Sequence, residues 1–198
     1  MVADILGIDV RQCEAVPGAR NHFQPEHVKN RSLMTVPVME DGLLEIKHSH
    51  AVITYFVSAY GNDEQKALYP SEPVARAMVD QYLYFDATIL FPRLNSALRS
   101  LVEKRKKLAG EQINDILECY VLVEKILEDR LYIASNVLTL ADIACIATLS
   151  TMNCIVTIEK RFVKLHGWWQ RLEKESWYIN VNLRGLERFC DYIKEYLY

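Results

Sequence analysis

No run of about 18 uninterrupted apolar residues occurs in the 198-residue chain, so no segment reads as a transmembrane helix. The first seven residues carry neither a basic leader nor a small-residue cleavage pattern; they do not read as a secretory signal, and a cytoplasmic protein is the expectation. An excess of positive charge is also missing. With 23 Lys and Arg against 26 Asp and Glu, the net charge of −3 supplies no general attraction to nucleic acid. The one basic cluster, Lys104 to Lys107, follows Glu103 on a stretch that reads as helix and is taken as a solvated face. The five cysteines (Cys13, Cys119, Cys145, Cys154, Cys190) are an odd set without C-x-x-C spacing, which argues against a zinc site and a disulfide framework. They are read as free thiols, and no metal site is expected.

What is present is apolar: 51% of the residues are hydrophobic, ample for a packed core and enough to exclude disorder. The texture changes at Leu68-Tyr69-Pro70-Ser71-Glu72-Pro73, where two prolines discourage helix. This divides the chain into units 1–67 and 74–198. In the first, Val2 to Ile8 reads as helix ending near Gly7, and Val10 to Val16 as a short strand. Val36–Met39 and Leu43–Ile46 read as a hairpin turning at Glu40-Asp41-Gly42, because acidic-Gly pairs suit tight turns. Ser49 then starts a helix reaching Ala59. In the second unit apolar residues recur at helical spacing (Met78, Tyr82, Phe85, Ile89; Ile113, Ile116, Tyr120, Val123, Leu127), so everything beyond Pro73 is expected to be helical.

One helix start is legible residue by residue. In Leu138-Thr139-Leu140-Ala141-Asp142-Ile143, Thr139 and Asp142 have the spacing of a capping box, and Leu138 and Ile143 that of a hydrophobic staple. Asp142 is therefore read as a structural carboxylate rather than a catalytic one.

That box, in an all-helical segment, resembles the helical domain of cytosolic glutathione S-transferases of the insect delta/epsilon type. Pro25 to Pro37 resembles the family stretch P-E-F-L-K-K-N-P-Q-H-T-V-P without a gap, and His48-Ser49-His50-Ala51 the following D/E-S-H/R-A. Leu68-Tyr69-Pro70 and Asp80-Gln81-Tyr82-Leu83-Tyr84-Phe85-Asp86 are similar to L-Y-P and D-Q-R-L-Y-F-D. The resemblance implies α/β plus all-α: a thioredoxin-like N-terminal domain, here without its first strand, followed by an all-helical domain. It also implies a homodimer, glutathione as co-substrate with no cofactor, and small hydrophobic electrophiles as second substrates, with neither nucleic acid nor membrane as partner.

By the same resemblance, the glutathione contacts are His22, Met34, Val36, Pro37, His48, Ser49 and His50. Val36 would present its backbone to the tripeptide across a cis bond to Pro37. Ser49 would hold the γ-glutamyl carboxylate at a helix N-terminus. Two positions depart from the pattern. His48 stands where the family has an acid for the γ-glutamyl ammonium, and Met34 stands where it has a histidine. Tyr84, Thr88 and Phe91 would line the acceptor pocket, with Tyr84 read equally as core. The family's thiol-activating serine precedes its first helix, whereas Met1 already falls in that helix. Neither Ser32 nor Ser49 replaces it, so no catalytic residue is expected within the chain, nor conjugation of chlorodinitrobenzene by these 198 residues alone. Two readings stay open: a transferase that conjugates glutathione in a longer form, and a catalytically impaired, transferase-like binding protein.

Overall fold

The structure, a computed structural model, describes residues 1–13 and 36–197. Helix α1 (Val2–Leu6) stops where Gly7 turns left-handed, at φ 67°. Glycine takes this conformation at no steric cost. No strand forms at Val10 to Cys13; the rest of the strand expected there lies outside the described residues.

Strands β1 (Val38–Asp41) and β2 (Leu44–Lys47) form an antiparallel hairpin pairing Val38 with Lys47 and Asp41 with Leu44. The first strand runs two residues further than expected and the second begins one residue later, so the turn falls on Gly42, at φ 59°, and the fully exposed Leu43. Helix α2 (Ser49–Tyr60) follows at once and buries Val52, Phe56 and Val57. It ends at Gly61, where a Cβ would sit 2.5 Å from the Val57 carbonyl oxygen. The hairpin is pinned to this helix through Asp41, whose carboxylate accepts from the Tyr55 hydroxyl at 2.7 Å and from the Tyr60 hydroxyl.

After a 3-10 turn at Gln65–Leu68, helix α3 (Pro73–Phe85) begins on a proline, whose missing amide is no loss at the first helical position. Its cap is Glu72, whose carboxylate accepts from the amides of Val74 at 3.0 Å and Ala75 at 2.7 Å. The helix widens into a π turn at Asp86–Leu90 and continues as α4 (Phe91–Leu98). Pro92 accounts for the widening. It has no N–H to give the Thr88 carbonyl, and its ring crowds that oxygen. A second π turn, Arg99–Glu103, ends the run. Lys104 to Lys107 lie beyond it and are exposed, so the basic cluster is solvated as expected but lies outside the helix.

Helices α5 (Gly110–Ile126), α6 (Leu140–Ile155) and α7 (Val163–Leu172) follow, then a π turn at Tyr178–Leu183 and α8 (Arg184–Leu197); residues 104–109, 127–139 and 156–162 between them are not helical, against the expectation that everything beyond Pro73 would be. Helix α6 is apolar nearly all round and packs against α2, α3, α4 and α8, as a helix at the centre of a domain must. The same continuous core takes in Val2 of α1 and Val52 and Phe56 of α2. Among the described residues, no helix is long and apolar enough to cross a membrane.

One reading of the cysteines is corrected. Cys154 at the end of α6 and Cys190 in α8 are bonded to each other, their Cα atoms 5.5 Å apart, while Cys13, Cys119 and Cys145 are free. The helical packing brings together two residues separated by 36 positions, a proximity that spacing along the chain does not encode.

Candidate functional site

The hairpin register defines one end of the site. Because Val38 pairs with Lys47, the residues just outside the ladder, Val36-Pro37 before β1 and His48-Ser49 after β2, lie at the same end. The Val36–Pro37 peptide bond is cis, and Val36 and Pro37 are exposed. His48 sits at the cap position of α2 with φ 69°, outside the region ordinary side chains favour, and makes no side-chain cap. Ser49, the first residue of the helix, is exposed as well. The first intrahelical bond runs from the Val52 amide to the His48 carbonyl at 3.1 Å. The three amides before it have no carbonyl within the helix to bond. This ledge therefore offers N–H groups without intrahelical partners at the positive end of a helix dipole, which is suited to a carboxylate.

His50 points elsewhere. Its Nε2 lies 2.8 Å from Oδ2 of Asp86, the first residue of the π turn between α3 and α4. Asp86 is 3% exposed, and its other oxygen, Oδ1, has no protein partner. This contact ties the first turn of α2 to the helix carrying the three expected acceptor residues. Sequence reasoning missed Asp86 as a functional position. The available signal was an acid at the end of the Asp80–Asp86 motif, among apolar residues at helical spacing.

Tyr84, Thr88 and Phe91 fall on one face of that helix, at intervals of four and three residues, and the face is open: Tyr84 is 70% exposed and Phe91 52%. The core reading of Tyr84 is thereby excluded, the core position being taken by Tyr82 at 7%. The Thr88 hydroxyl donates to the Tyr84 carbonyl at 2.7 Å within the widened turn. His22 and Met34 lie outside the described residues.

The start of α6 is structural throughout. The capping box forms, the Asp142 carboxylate accepting from the Thr139 amide at 3.0 Å and from its hydroxyl at 3.2 Å. It also accepts from the Ile133 amide at 2.7 Å and from Trp168 Nε1 at 2.8 Å. Burial pushes this carboxyl's pKa above the usual range, and the donors hold it back. With both oxygens engaged and no exposed surface, it has no capacity to act on a ligand.

Comparison with known proteins bears on the whole of this arrangement. A family model described as glutathione S-transferase, C-terminal domain, matches residues 50–175. The chain is 34% identical over 187 residues to glutathione S-transferase 1 of Manduca sexta, spanning 93% of this chain and 82% of that protein. Among solved structures, glutathione transferase E6 of Drosophila melanogaster superposes with a TM-score of 0.93 at 29% identity, over 100% of this chain and 90% of that one. A glutathione transferase homolog of Drosophila mojavensis, solved with bound glutathione, gives 0.91 at 31% identity, over 98% of this chain and 89% of that one.

Proposed function

The chain belongs to the glutathione S-transferase family, of the insect delta/epsilon type, and on that premise we propose that it conjugates glutathione to small hydrophobic electrophiles, docking the tripeptide on the ledge between Pro37 and Ser49. The observation that carries this reading is the meeting of the cis Val36–Pro37 bond with the uncapped start of α2 at one end of the hairpin. In this proposal the Val36 backbone pairs with the cysteinyl residue, while the Ser49 hydroxyl and the first amides of α2 take the γ-glutamyl carboxylate. His48 faces the ammonium and weakens that contact, because an imidazole carries no negative charge where a carboxylate would supply a charge-assisted hydrogen bond. His22 and Met34 belong to the glycine end. The exposed face of Tyr84, Thr88 and Phe91 takes the apolar electrophile, and His50 with Asp86 holds the two halves together.

No side chain on this ledge is assigned to stabilising the thiolate, so the first test concerns docking. Calorimetric titration of glutathione into the chain should show saturable binding, weakened by Ser49→Ala. Absence of binding would overturn the proposal. Conjugation is assayed with 1-chloro-2,4-dinitrobenzene on protein isolated from its natural source, where binding without turnover would favour the binding-protein reading instead. The proposal extends to the division into units 1–67 and 74–198, to a cytoplasmic location and to a homodimer, the last checked by sedimentation velocity.

A further inference from the structure

Helix α8 is held to the rest of the molecule in an unusual way. Of its fourteen residues only Ile193 is buried; Leu186, Phe189, Cys190 and Tyr196 form a half-buried stripe on the same face. That stripe rests on α6 and on the π turn at Arg99–Glu103, and the outer end is touched by the Arg105 guanidinium, 5.9 Å above the Tyr196 ring. A helix with one buried side chain has little apolar burial to fix it. The Cys154–Cys190 bond crosses this contact.

The segment just before α8 is anchored independently. Trp177 and Tyr178 are 3% and 4% exposed, and the Asn182 side-chain amide donates to the Ser150 hydroxyl at 3.2 Å. Between this anchor and the stripe lies Gly185, around which a Cβ would meet nothing within 4 Å. Opening the bond would thus free α8 from about Gly185 onward and leave the π turn in place.

Access separates this pair from the buried cysteines. Cys154 and Cys190 are both half-buried and keep part of their surface open, so a small disulfide can reach them. Cys119 and Cys145 are buried, which raises both thiol pKa values and leaves little thiolate to attack anything.

We propose that Cys154 and Cys190 form a reversible thiol–disulfide site, exchanged by low-molecular-weight disulfides of the glutathione disulfide class, whose oxidised form fastens α8 to α6 and whose reduced form releases it. In the oxidising direction the thiolate of one cysteine attacks a sulfur of the small disulfide, whose S–S bond breaks and expels one thiolate. The second cysteine then attacks the protein-bound sulfur of the mixed disulfide and expels the other thiolate. Two protein thiols are oxidised to one disulfide, one small disulfide is reduced to two thiols, and the two protons lost by the cysteines end on the departing thiolates. Reduced glutathione in excess drives the same steps backwards.

The test equilibrates the full chain in glutathione buffers from fully reduced to mostly oxidised, quenches with acid, alkylates and maps the peptides by mass. A Cys154–Cys190 cross-linked peptide is expected at the oxidising end, two alkylated cysteines at the reducing end, and the same mixture at intermediate ratios from either direction. A bond that survives in the folded protein under full reduction, or one that never forms, would overturn the proposal. Hydrogen exchange on the unaltered protein reads the fastening: amides 186–197 should exchange about tenfold faster or more in the reduced state, with 140–155 unchanged. Equal rates for α8 in the two states would refute the release. Cys190→Ser should show the fast α8 exchange in both buffers.

Discussion

Two helix starts in this molecule solve the same problem in opposite ways. Every helix begins with amides that its own ladder does not bond. At α6 the start is closed within the protein: the Asp142 carboxylate accepts from the Thr139 amide, the Asp142 amide donates to the Thr139 carbonyl at 3.2 Å, and the same carboxylate gathers the Ile133 amide and the Trp168 ring N–H, all buried. At α2 the cap position holds His48 at a positive φ without a side-chain cap, and Ser49 beside it is exposed. Two others lie between these extremes. Helix α3 is capped by the neighbouring Glu72, and α7 by Glu124 from α5, whose carboxylate accepts from the Lys164 amide at 3.0 Å and the Leu165 amide at 2.8 Å. A start that is closed by protein groups serves stability. One left open beside an exposed cis-proline loop keeps its dipole available for a ligand carboxylate.

The contrast can be broken at its closed end. Asp142→Ala strands the buried Ile133, Thr139 and Trp168 N–H groups, each costing about 1 to 3 kcal/mol, so urea unfolding should show a loss of about 3 kcal/mol or more. A loss well under 1 kcal/mol would mean that the box is replaceable. At the open end, His48→Glu restores a carboxylate for the γ-glutamyl ammonium, and glutathione should bind roughly ten- to a hundredfold tighter by calorimetry. Unchanged affinity would show that the side chain does not face the ligand. Glu124→Ala uncaps α7 at a cost of about 1 kcal/mol in thermal unfolding and should leave glutathione affinity as it was. A fall in affinity would tie α7 to the ledge.

The smallest effect concerns the clamp that holds the hairpin to α2. Hydrogen bonds from Tyr55 and then Tyr60 depress the Asp41 pKa. A carboxyl whose folded pKa lies below its unfolded value, about 3.9, contributes stability that is fully present above that value and is lost as pH falls through the folded one. Asp41→Asn should therefore flatten the dependence of Tm on pH below about pH 4, measured from pH 5 to 2. An acid limb identical to the parent's would exclude this clamp as its source.

Much of the open and closed ends was legible along the chain. The Thr139–Asp142 box, the Ser49 start and the stop at Gly7 depend on residues within four positions of one another, and local spacing reports them. The hairpin was legible too, its first strand ending two residues later than expected because Glu40 and Asp41 stay in the ladder. Glu124 reaches α7 across 40 residues, His50 meets Asp86 across 36, and Cys154 meets Cys190 across 36, and none of these contacts leaves a local signature. Tyr84 was ambiguous for a related reason. Tyr82 and Tyr84 are both plausible on a helix, and only packing against α6 decides which one is buried.

By itself the sequence determined the starts of α2 and α6, the stop of α1 at Gly7 and the presence of the hairpin, and its motifs pointed to the family, because capping, turn chemistry and apolar period act over a few residues. Tertiary structure alone decided which carboxylates are sealed in the core, which helix end stays open, and which cysteines meet, because these depend on surfaces brought together from opposite ends of the chain and on the water they exclude.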